Sequence, residues 1–344
     1  MSESLAISRA VPRPGEGTHA APLDVRRKLQ LALGALWLLD GILQFQPSMF
    51  TKAFPGMLAG TAAGNPAFVA SPVTWSATLI THHLVVLNAV FATVQVALGL
   101  GIAWRPAVRL ALAASVLWSL AVWFLGEGLG GVLAGPASLT DGAPGAVILY
   151  ALLAVLLWPA REERPARFTA GRAIGEKPAL VLWTVLWASM AFFALQPGYR
   201  TPSGLSDEIK EMAGGQPAWV TWPVTHLASL LAGQGLLAAC LLAAAFAVTA
   251  LGLWLPARTA RTARTALTAR ATRAVLVLAL VLAAFLWLAQ GLGGLFTGGS
   301  TDPNSGPLLV LLTLAYWPGR AEAGTEPRTE PRTEPRTEPR TEGA

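Results

Sequence analysis

Cysteine is almost absent from this chain of 344 residues, and Cys240 is the only one. One thiol cannot form a disulfide, a dithiol redox pair or a thiolate metal cluster within one chain. Charged residues are also scarce, because Asp, Glu, Lys and Arg together supply only 13% of the sequence, about half of the share usual in soluble domains. These shortages exclude chemistry based on paired thiols and argue against an ordinary water-soluble domain.

Apolar residues take the place of the missing charge. They make up 53% of the chain, the mean hydropathy is +0.52, and there are 13 tryptophans, whose indole rings suit a membrane interface. The isoelectric point near 10.1 comes from arginines confined to particular loops, which is typical of membrane proteins and not of nucleic-acid-binding proteins. The composition predicts an integral membrane protein whose partner is the lipid bilayer, with no nucleic-acid partner.

Apolar runs along the chain predict an all-α integral membrane fold with about eight transmembrane helices. Helices are expected because lipid offers no hydrogen-bond partners to backbone groups, so each segment must satisfy its own. Several runs are shorter than the roughly 20 residues that cross the hydrocarbon, so we expect either that they extend into flanking Gly and Ala or that the local bilayer is thin. The runs lie at 29–45, 84–104, 108–125, 146–158, 179–195, 227–255, 274–288 and 308–317.

The first run resembles a signal sequence, because it follows a polar arm with several Arg residues. Two features argue against cleavage: Asp40 lies inside the run, and Gln46-Pro47 follows it in place of a small-x-small site. We therefore expect a retained first helix, followed by a long outer loop that ends at the second run.

Lys and Arg concentrate in alternate loops. The N-terminal arm, the second, fourth and sixth loops and the tail hold all of the 25 Lys and Arg residues except Lys52, Arg200 and Lys210. Positive residues remain on the cytoplasmic side of a membrane protein. The sequence therefore predicts a multi-pass protein of a bacterial plasma membrane, with the N-terminus and the C-terminus both in the cytoplasm.

The two halves of the chain share short strings at matched positions. Gln-Pro occurs at 46–47 and 196–197, Pro-Val-Thr at 72–74 and 223–225, and Trp-Pro at 158–159 and 317–318. An even number of spans in each copy predicts two parallel four-helix repeats, related by an axis along the membrane normal. The predicted parts are a cytoplasmic arm (1–28), a first membrane repeat (29–159), a basic cytoplasmic linker (160–178), a second membrane repeat (179–318) and a disordered tail (319–344).

Two polar segments carry no predicted chemistry. The tail contains successive copies of Thr-Glu-Pro-Arg over 325–340, and a proline at every fourth residue with no apolar anchor predicts a disordered, solvated tether. The insert rich in Thr, Ala and Arg at 258–273 lengthens the second half, and we expect it to be cytoplasmic and either frayed or helical.

Ionisable side chains inside or beside the apolar runs are the candidates for a functional site, because burying charge in a membrane costs several kcal/mol. Asp40 lies past the middle of the first run, Glu127 lies at the outer end of the third, and three polar residues lie at the outer entry of the second. Such a cluster suits proton relay or, as a weaker alternative, binding of a divalent metal, although no metal site is assigned. The candidate polar cluster is Asp40, His82, His83, Asn88 and Glu127.

The second copy lacks these groups, so any acid or base chemistry is predicted to lie in the first repeat, with the second as scaffold. A purely structural alternative stays open, in which Asp40 bonds a neighbouring helix, the histidines are interfacial and Glu127 meets water. The residues at the positions of Asp40, His83, Asn88 and Glu127 are Met190, Gln234, Ala239 and Gln290.

Two Gly-Leu-Gly-Gly strings, at 128–131 and 291–294, do not predict a nucleotide site, because no strand precedes them and the lysine of a phosphate loop is absent. Glycine adopts positive φ and lets backbones approach closely, so the strings predict tight breaks where the third and seventh spans end. The outer-loop glycines with this structural role are Gly128, Gly130, Gly131, Gly291, Gly293 and Gly294.

Two resemblances follow from longer strings. The segment 36–47 (Leu-Trp-Leu-Leu-Asp-Gly-Ile-Leu-Gln-Phe-Gln-Pro), followed by a long loop and by two spans joined through a short basic turn, resembles the DoxX/DoxD-like four-helix membrane family. Over residues 30–318 the duplicated chain more closely resembles an uncharacterised group of multi-pass membrane proteins from high-GC actinobacteria. The strings shared with that group are Gly-Glu-Gly-Leu-Gly at 126–130 and Asp-Pro-Asn-Ser-Gly-Pro at 302–307.

Two functional classes stay open. We favour a non-enzymatic accessory protein that binds lipid or another small apolar ligand between its halves, or a membrane partner subunit. The second class is a quinone-linked redox subunit, with quinone as the cofactor that the DoxX/DoxD resemblance implies, or a proton-coupled small-solute carrier. The lack of a Cys pair argues against the redox role. Against transport, the Pro and Gly residues shared by the two halves lie in or beside outer loops, whereas carriers usually break their helices near the midplane of the membrane.

Overall fold

The computed structural model describes residues 24–135, 137–159, 166–254 and 265–318. The predicted tail, most of the predicted N-terminal arm, and parts of the linker and of the arginine-rich insert lie outside these residues. The described residues form helices and turns, and their only β contact is an isolated antiparallel bridge between Phe168 and Pro318. The prediction of an all-α fold is confirmed for the described residues.

The first half begins with a helix whose buried residues repeat every three or four positions. Leu29, Leu33, Trp37, Asp40 and Gln44 all lie on this packed face, so Asp40 points into the protein and away from lipid. The helices of this half are α1 (Val25–Gln44), α2 (Ala53–Gly60), α3 (Ala67–His82), α4 (Leu84–Ala103), α5 (Val108–Leu125) and α6 (Ala146–Leu156).

The second half repeats this order of long and short helices after one short linker helix. The linker helix is α7 (Thr169–Ile174). Residues on either side of it, Arg167 and Glu176, form an ion pair (2.6 Å). The remaining helices are α8 (Glu176–Ala194), α9 (Gly204–Glu211), α10 (Ala218–Leu231), α11 (Gly235–Gly252), α12 (Thr265–Ala289) and α13 (Ser305–Ala315).

Five of the described helices, α4, α5, α8, α11 and α12, are long and apolar enough to cross a membrane. Large apolar side chains cover their outward faces, as Leu110 and Leu117 of α5 show with exposures of 76% and 70%. Extended apolar surface of this kind suits lipid, so the chain is a helical membrane protein. The prediction of eight spans stays a prediction, because three of the predicted spans are not among these five helices. They are α1 and the apolar helices α6 and α13, which have only 11 residues each, about 16 Å of helix.

Two details of the predicted helix pattern were wrong. The long outer loop expected after the first helix contains α2 and α3. Helix α3 was missed because Pro72 lies inside it, and proline usually ends a helix. The apolar run at 227–255 is not one helix, because the chain breaks between α10 and α11, where Gly233 has a φ of 78°.

The two ends of the bundle differ in chemistry. At one end the Arg27 guanidinium donates hydrogen bonds to the carbonyl oxygens of Ile102 (2.8 Å) and Ala103, where α4 stops. A cation at a helix C-terminus offsets the partial negative charge of the free carbonyls. We name this the arginine end. The opposite end, which we name the turn end, holds the 3-10 turns Gly128–Gly131 and Gly291–Gly294.

Glycines let α1 and α4 cross closely. A Cβ atom on Gly99 would lie 2.6 Å from Cγ of Leu38 and 2.7 Å from the carbonyl oxygen of Gly34. Close backbone approach through small residues is a common way to pack helices in membranes. This crossing fixes the face of α1 that carries Asp40.

Candidate functional site

A cavity of about 1080 Å³ lies at the turn end. The first half supplies most of its wall, through helices α1 to α6 and the turns that join them. The rest comes from the second half, from residues 211–216 after α9 and from the segment 290–304 between α12 and α13. Exposed residues that include Ala63, Glu211 and Thr297 form its mouth. Both halves of the chain therefore enclose the space, which opens at the turn end.

Asp40 lies on the α1 wall and is 2% exposed. Its Oδ1 atom has no hydrogen-bond partner among the described residues. The Tyr150 hydroxyl of α6 interacts electrostatically with this carboxyl, although the two groups do not meet the geometry of a direct hydrogen bond. The Tyr150 ring packs against Trp37, with centroids 4.2 Å apart, and this contact fixes the tyrosine beside the carboxyl.

Glu127 follows the last turn of α5, where the chain leaves the helix. Its Oε1 atom accepts a hydrogen bond from the backbone N–H of Val147 (3.2 Å) in the first turn of α6, and Oε2 has no partner among the described residues. Burial raises the pKa of Glu127 to about 8, and the negative charge of Asp302 acts in the same direction. The side chain is thus poised to exchange a proton near neutral pH.

Asp302 comes from the second half and reaches the same cavity. Its two oxygens accept hydrogen bonds from the backbone N–H of Asn304 (2.7 Å) and from the Thr301 hydroxyl (2.9 Å). Burial raises the pKa of Asp302, and these two hydrogen bonds act in the opposite direction because they favour the charged form. The carboxyl is therefore held in place with its charge partly offset.

The glycine turns position the carboxyl-bearing segments. All six predicted glycines have positive φ, and Leu129 and Leu292 share that backbone region with φ of 59° and 53°. A Cβ atom on Gly130 would lie 2.1 Å from the carbonyl oxygen of Pro144, so only glycine permits the turn to pack there. The same carbonyl accepts a hydrogen bond from the Trp123 indole (2.7 Å), which ties the start of α6 to the end of α5.

A second contact of the same kind occurs in the other half. The Trp287 indole donates to the carbonyl oxygen of Pro303 (3.1 Å), and a Cβ atom on Gly293 would lie 2.3 Å from that oxygen. This contact holds the backbone one residue away from Asp302. The two turns thus place Glu127 and Asp302 by equivalent means.

Of the predicted polar cluster, the structure brings three members to one region. Asp40 and Glu127 line the cavity, and Asn88 lies behind its wall, where its amide group exchanges hydrogen bonds with Gln44, a lining residue. His82 and His83 are exposed, and neither is among the described residues that line the cavity. The cluster that forms is therefore a set of carboxyls and amides without histidine.

Sequence reasoning missed three residues of the site: Tyr150, Gln290 and Asp302. Gln290 is 3% exposed, and its amide nitrogen donates to the carbonyl oxygen of Leu139 (2.9 Å) and to the Ser305 hydroxyl (2.7 Å). Asp302 and Gln290 belong to the half expected to act as scaffold. Contact between the halves, which strings in the sequence do not reveal, brings them to the cavity.

A hydrogen-bonded network joins the two halves beside the cavity. The Tyr199 hydroxyl accepts from the backbone N–H of Leu139 (2.6 Å) and donates to the Ser138 hydroxyl (3.1 Å). The Glu208 carboxylate of α9 accepts from the hydroxyls of Ser138 (2.9 Å) and Thr140 (2.6 Å). This network fixes the loop before α6 against the second half, so it shapes the cavity wall.

Large apolar side chains are buried in the described part of the second half. Met190, at the position predicted to correspond to Asp40, is fully buried, and Trp187 and Phe246 pack with ring centroids 5.9 Å apart. Large apolar side chains thus occupy the core of this half. The polar cavity lies on the side of the first half.

Protein-family models, curated proteins and solved structures were each compared with the chain, and none of them matches. The class that the fold and the cavity define is a helical membrane protein with a carboxyl-lined cavity at one end of its bundle.

Proposed function

We propose that this protein is a non-enzymatic membrane protein that binds a small ligand with an apolar body in the cavity at the turn end. The main support for this proposal is the cavity itself. Its size is close to that of small-molecule sites, and its wall combines apolar side chains with a few polar groups. Met57, Leu87 and Phe91 are among the apolar residues of the wall, and Asp40, which is deeply buried, is among the polar ones.

The membrane arrangement is part of this proposal: eight spans in two parallel four-helix repeats, with both termini on the cytoplasmic side of a bacterial plasma membrane. The equivalent contacts of Gly130 with Pro144 and of Gly293 with Pro303 support the duplication. The basic residues of the arginine end support a cytoplasmic position for that end. In this arrangement the cavity opens toward the outside of the cell.

A proton-coupled carrier is the second candidate, because Glu127 titrates near neutral pH beside other cavity carboxyls. The quinone-linked role that the DoxX/DoxD resemblance implies stays a prediction, as does a membrane partner subunit. Against a carrier, the Gly-rich breaks described above lie at one end of the bundle, whereas carriers usually break their helices near the midplane.

Ligand extraction tests the proposal. The full chain is purified in a mild detergent and extracted with organic solvent, and small molecules are identified by mass spectrometry beside an ultraviolet-visible spectrum. We expect one compound in near-stoichiometric amount beyond bulk lipid. Bulk lipid alone would count against the proposal, and stoichiometric quinone would favour the redox candidate.

A further inference from the structure

We infer that the ligand is an organic ammonium ion, a protonated amine on an apolar body, attracted by the carboxyls of Asp40, Glu127 and Asp302 that line the cavity. This inference rests on the proposed function and names the ligand class of the same site.

The first support is the sign of the charge around the cavity. The three carboxyls line it, together with Asp141 and Glu211 nearer the mouth, and the described lining residues include no Lys, Arg or His. No ion pair within the described part of the chain involves any of these carboxyls. A cation in the cavity would stabilise the ionised form of these carboxyls, including Glu127, whose pKa of about 8 keeps it mostly protonated at neutral pH without a ligand.

The second support is an excess of acceptor atoms without partners. Five buried carboxyl and amide oxygens of the lining have no hydrogen-bond partner among the described residues, and two buried lining donors share that condition, the indole N–H of Trp118 and the hydroxyl of Tyr150. Buried polar groups are normally paired, so these oxygens call for a ligand that donates. The oxygens are Asp40 Oδ1, Gln95 Oε1, Glu127 Oε2, Gln216 Oε1 and Gln290 Oε1.

The hydrogen bonds of two glutamines fix which amide atom is free. The Gln290 nitrogen donates to Leu139 and Ser305, and the Gln216 nitrogen donates to the carbonyl oxygen of Gly291 (2.6 Å). In both residues the oxygen is therefore the unpaired atom. Gln290 is 3% exposed and Asp40 2%, so these two side chains are shielded from bulk water.

Aromatic side chains suit the rest of such a ligand. Trp37, Trp75, Trp118 and Tyr150 line the cavity, and aromatic faces attract cations as well as apolar groups. A quinone fits this wall less well, because its carbonyl oxygens are acceptors and would face acceptors. The described residues contain no group of three or more His, Cys, Asp or Glu that could hold a metal ion, so a bare metal fits less well too.

The experiment compares three probes of similar shape on the purified full chain in detergent: 2-phenylethylammonium, 2-phenylethanol and phenylacetate. Isothermal titration calorimetry, with empty micelles subtracted, measures each affinity. We expect the ammonium to bind at least about tenfold more tightly than the alcohol, as a charge-assisted hydrogen bond allows, and phenylacetate to bind more weakly than both.

Variants then test whether the cavity carboxyls cause the preference for the ammonium probe. Glu127→Gln and Asp302→Asn should each reduce the preference for the ammonium to about threefold or less while leaving the affinity for the alcohol unchanged. Asp207→Asn is the matched control, because Asp207 is an exposed carboxyl of α9 outside the cavity lining, and it should keep the preference.

The outcomes separate the two levels of the proposal. Equal binding of ammonium and alcohol, or a preference for phenylacetate, would overturn the ammonium inference and leave a small-ligand site standing. Absence of binding by all three probes would contradict the proposed function itself. These comparisons are made first on the unmodified chain, so they hold even where a variant does not fold.

Discussion

The stability of this protein should fall as pH rises through the titration of Glu127, and Glu127→Gln should remove that part of the fall. Burial and the nearby charge of Asp302 raise the pKa of Glu127 from 4.5 to about 8, against the smaller effect of the Val147 N–H. The folded state therefore holds the Glu127 proton more tightly than the unfolded state. Stability from this group is complete below its unfolded pKa and is lost as pH rises toward the folded value.

The size of the effect follows from linkage. Each pH unit between the two pKa values lowers the free energy of unfolding by at most about 1.4 kcal/mol. The cavity reaches the Glu127 side chain, which is partly exposed, so screening reduces this figure. We expect a loss of roughly 1–2 kcal/mol between pH values of about 6 and 8.

The assay is thermal unfolding of the purified chain in detergent, followed by tryptophan fluorescence over that pH range. Glu127→Gln should unfold at a higher temperature than the parent near pH 8 and at a similar temperature near pH 5. Asp207→Asn, an exposed carboxyl variant, should follow the parent curve. Parallel curves for the parent and Glu127→Gln would refute the reasoning, because Glu127 would then titrate alike in both states.

Two further predictions concern packing. Gly99→Val should lower the free energy of unfolding by about 1–3 kcal/mol, because a Cβ atom there would lie 2.6 Å from Leu38. The control Gly56→Ala should not lower it, because a Cβ atom on Gly56 meets no neighbour within 4 Å and alanine favours helix α2 by up to about 1 kcal/mol. Equal thermal shifts would contradict the close crossing. Tyr199→Phe should lower the free energy of unfolding, measured with a denaturant, by about 1–3 kcal/mol, because it leaves the buried N–H of Leu139 without a hydrogen-bond acceptor. An unchanged denaturation midpoint would argue against the network.

The apolar runs in the sequence located the long helices well, because lipid selects unbroken apolar segments and leaves a strong compositional signal. The shorter helices were harder. Pro72 concealed α3, since proline inside a helix is uncommon, and Gly233 separated α10 from α11 within one apolar run. Apolar composition alone also cannot distinguish α6 from a full span, because protein and lipid favour the same side chains.

The candidate site was partly predictable. Asp40 and Glu127 stood out because carboxyls are rare in or beside apolar runs, and both line the cavity. Asp302 lies outside the apolar runs, in the string Asp-Pro-Asn-Ser-Gly-Pro at 302–307, and only the packing of the two halves brings it to the cavity. A usable signal was present, because Asp302 precedes an apolar run whose start lies on the same predicted side as Glu127.

The most direct test of the central claim, that the cavity binds a small ligand, is native mass spectrometry of the chain and two tryptophan variants. Leu87→Trp adds an indole to a residue of the cavity wall, and Val86→Trp adds one to the adjacent residue, which is 65% exposed and lies outside the described cavity lining. We predict that a bound small molecule is retained by the parent and by Val86→Trp and is lost from folded Leu87→Trp. Equal occupancy in all three proteins, or none in the parent, would contradict the account.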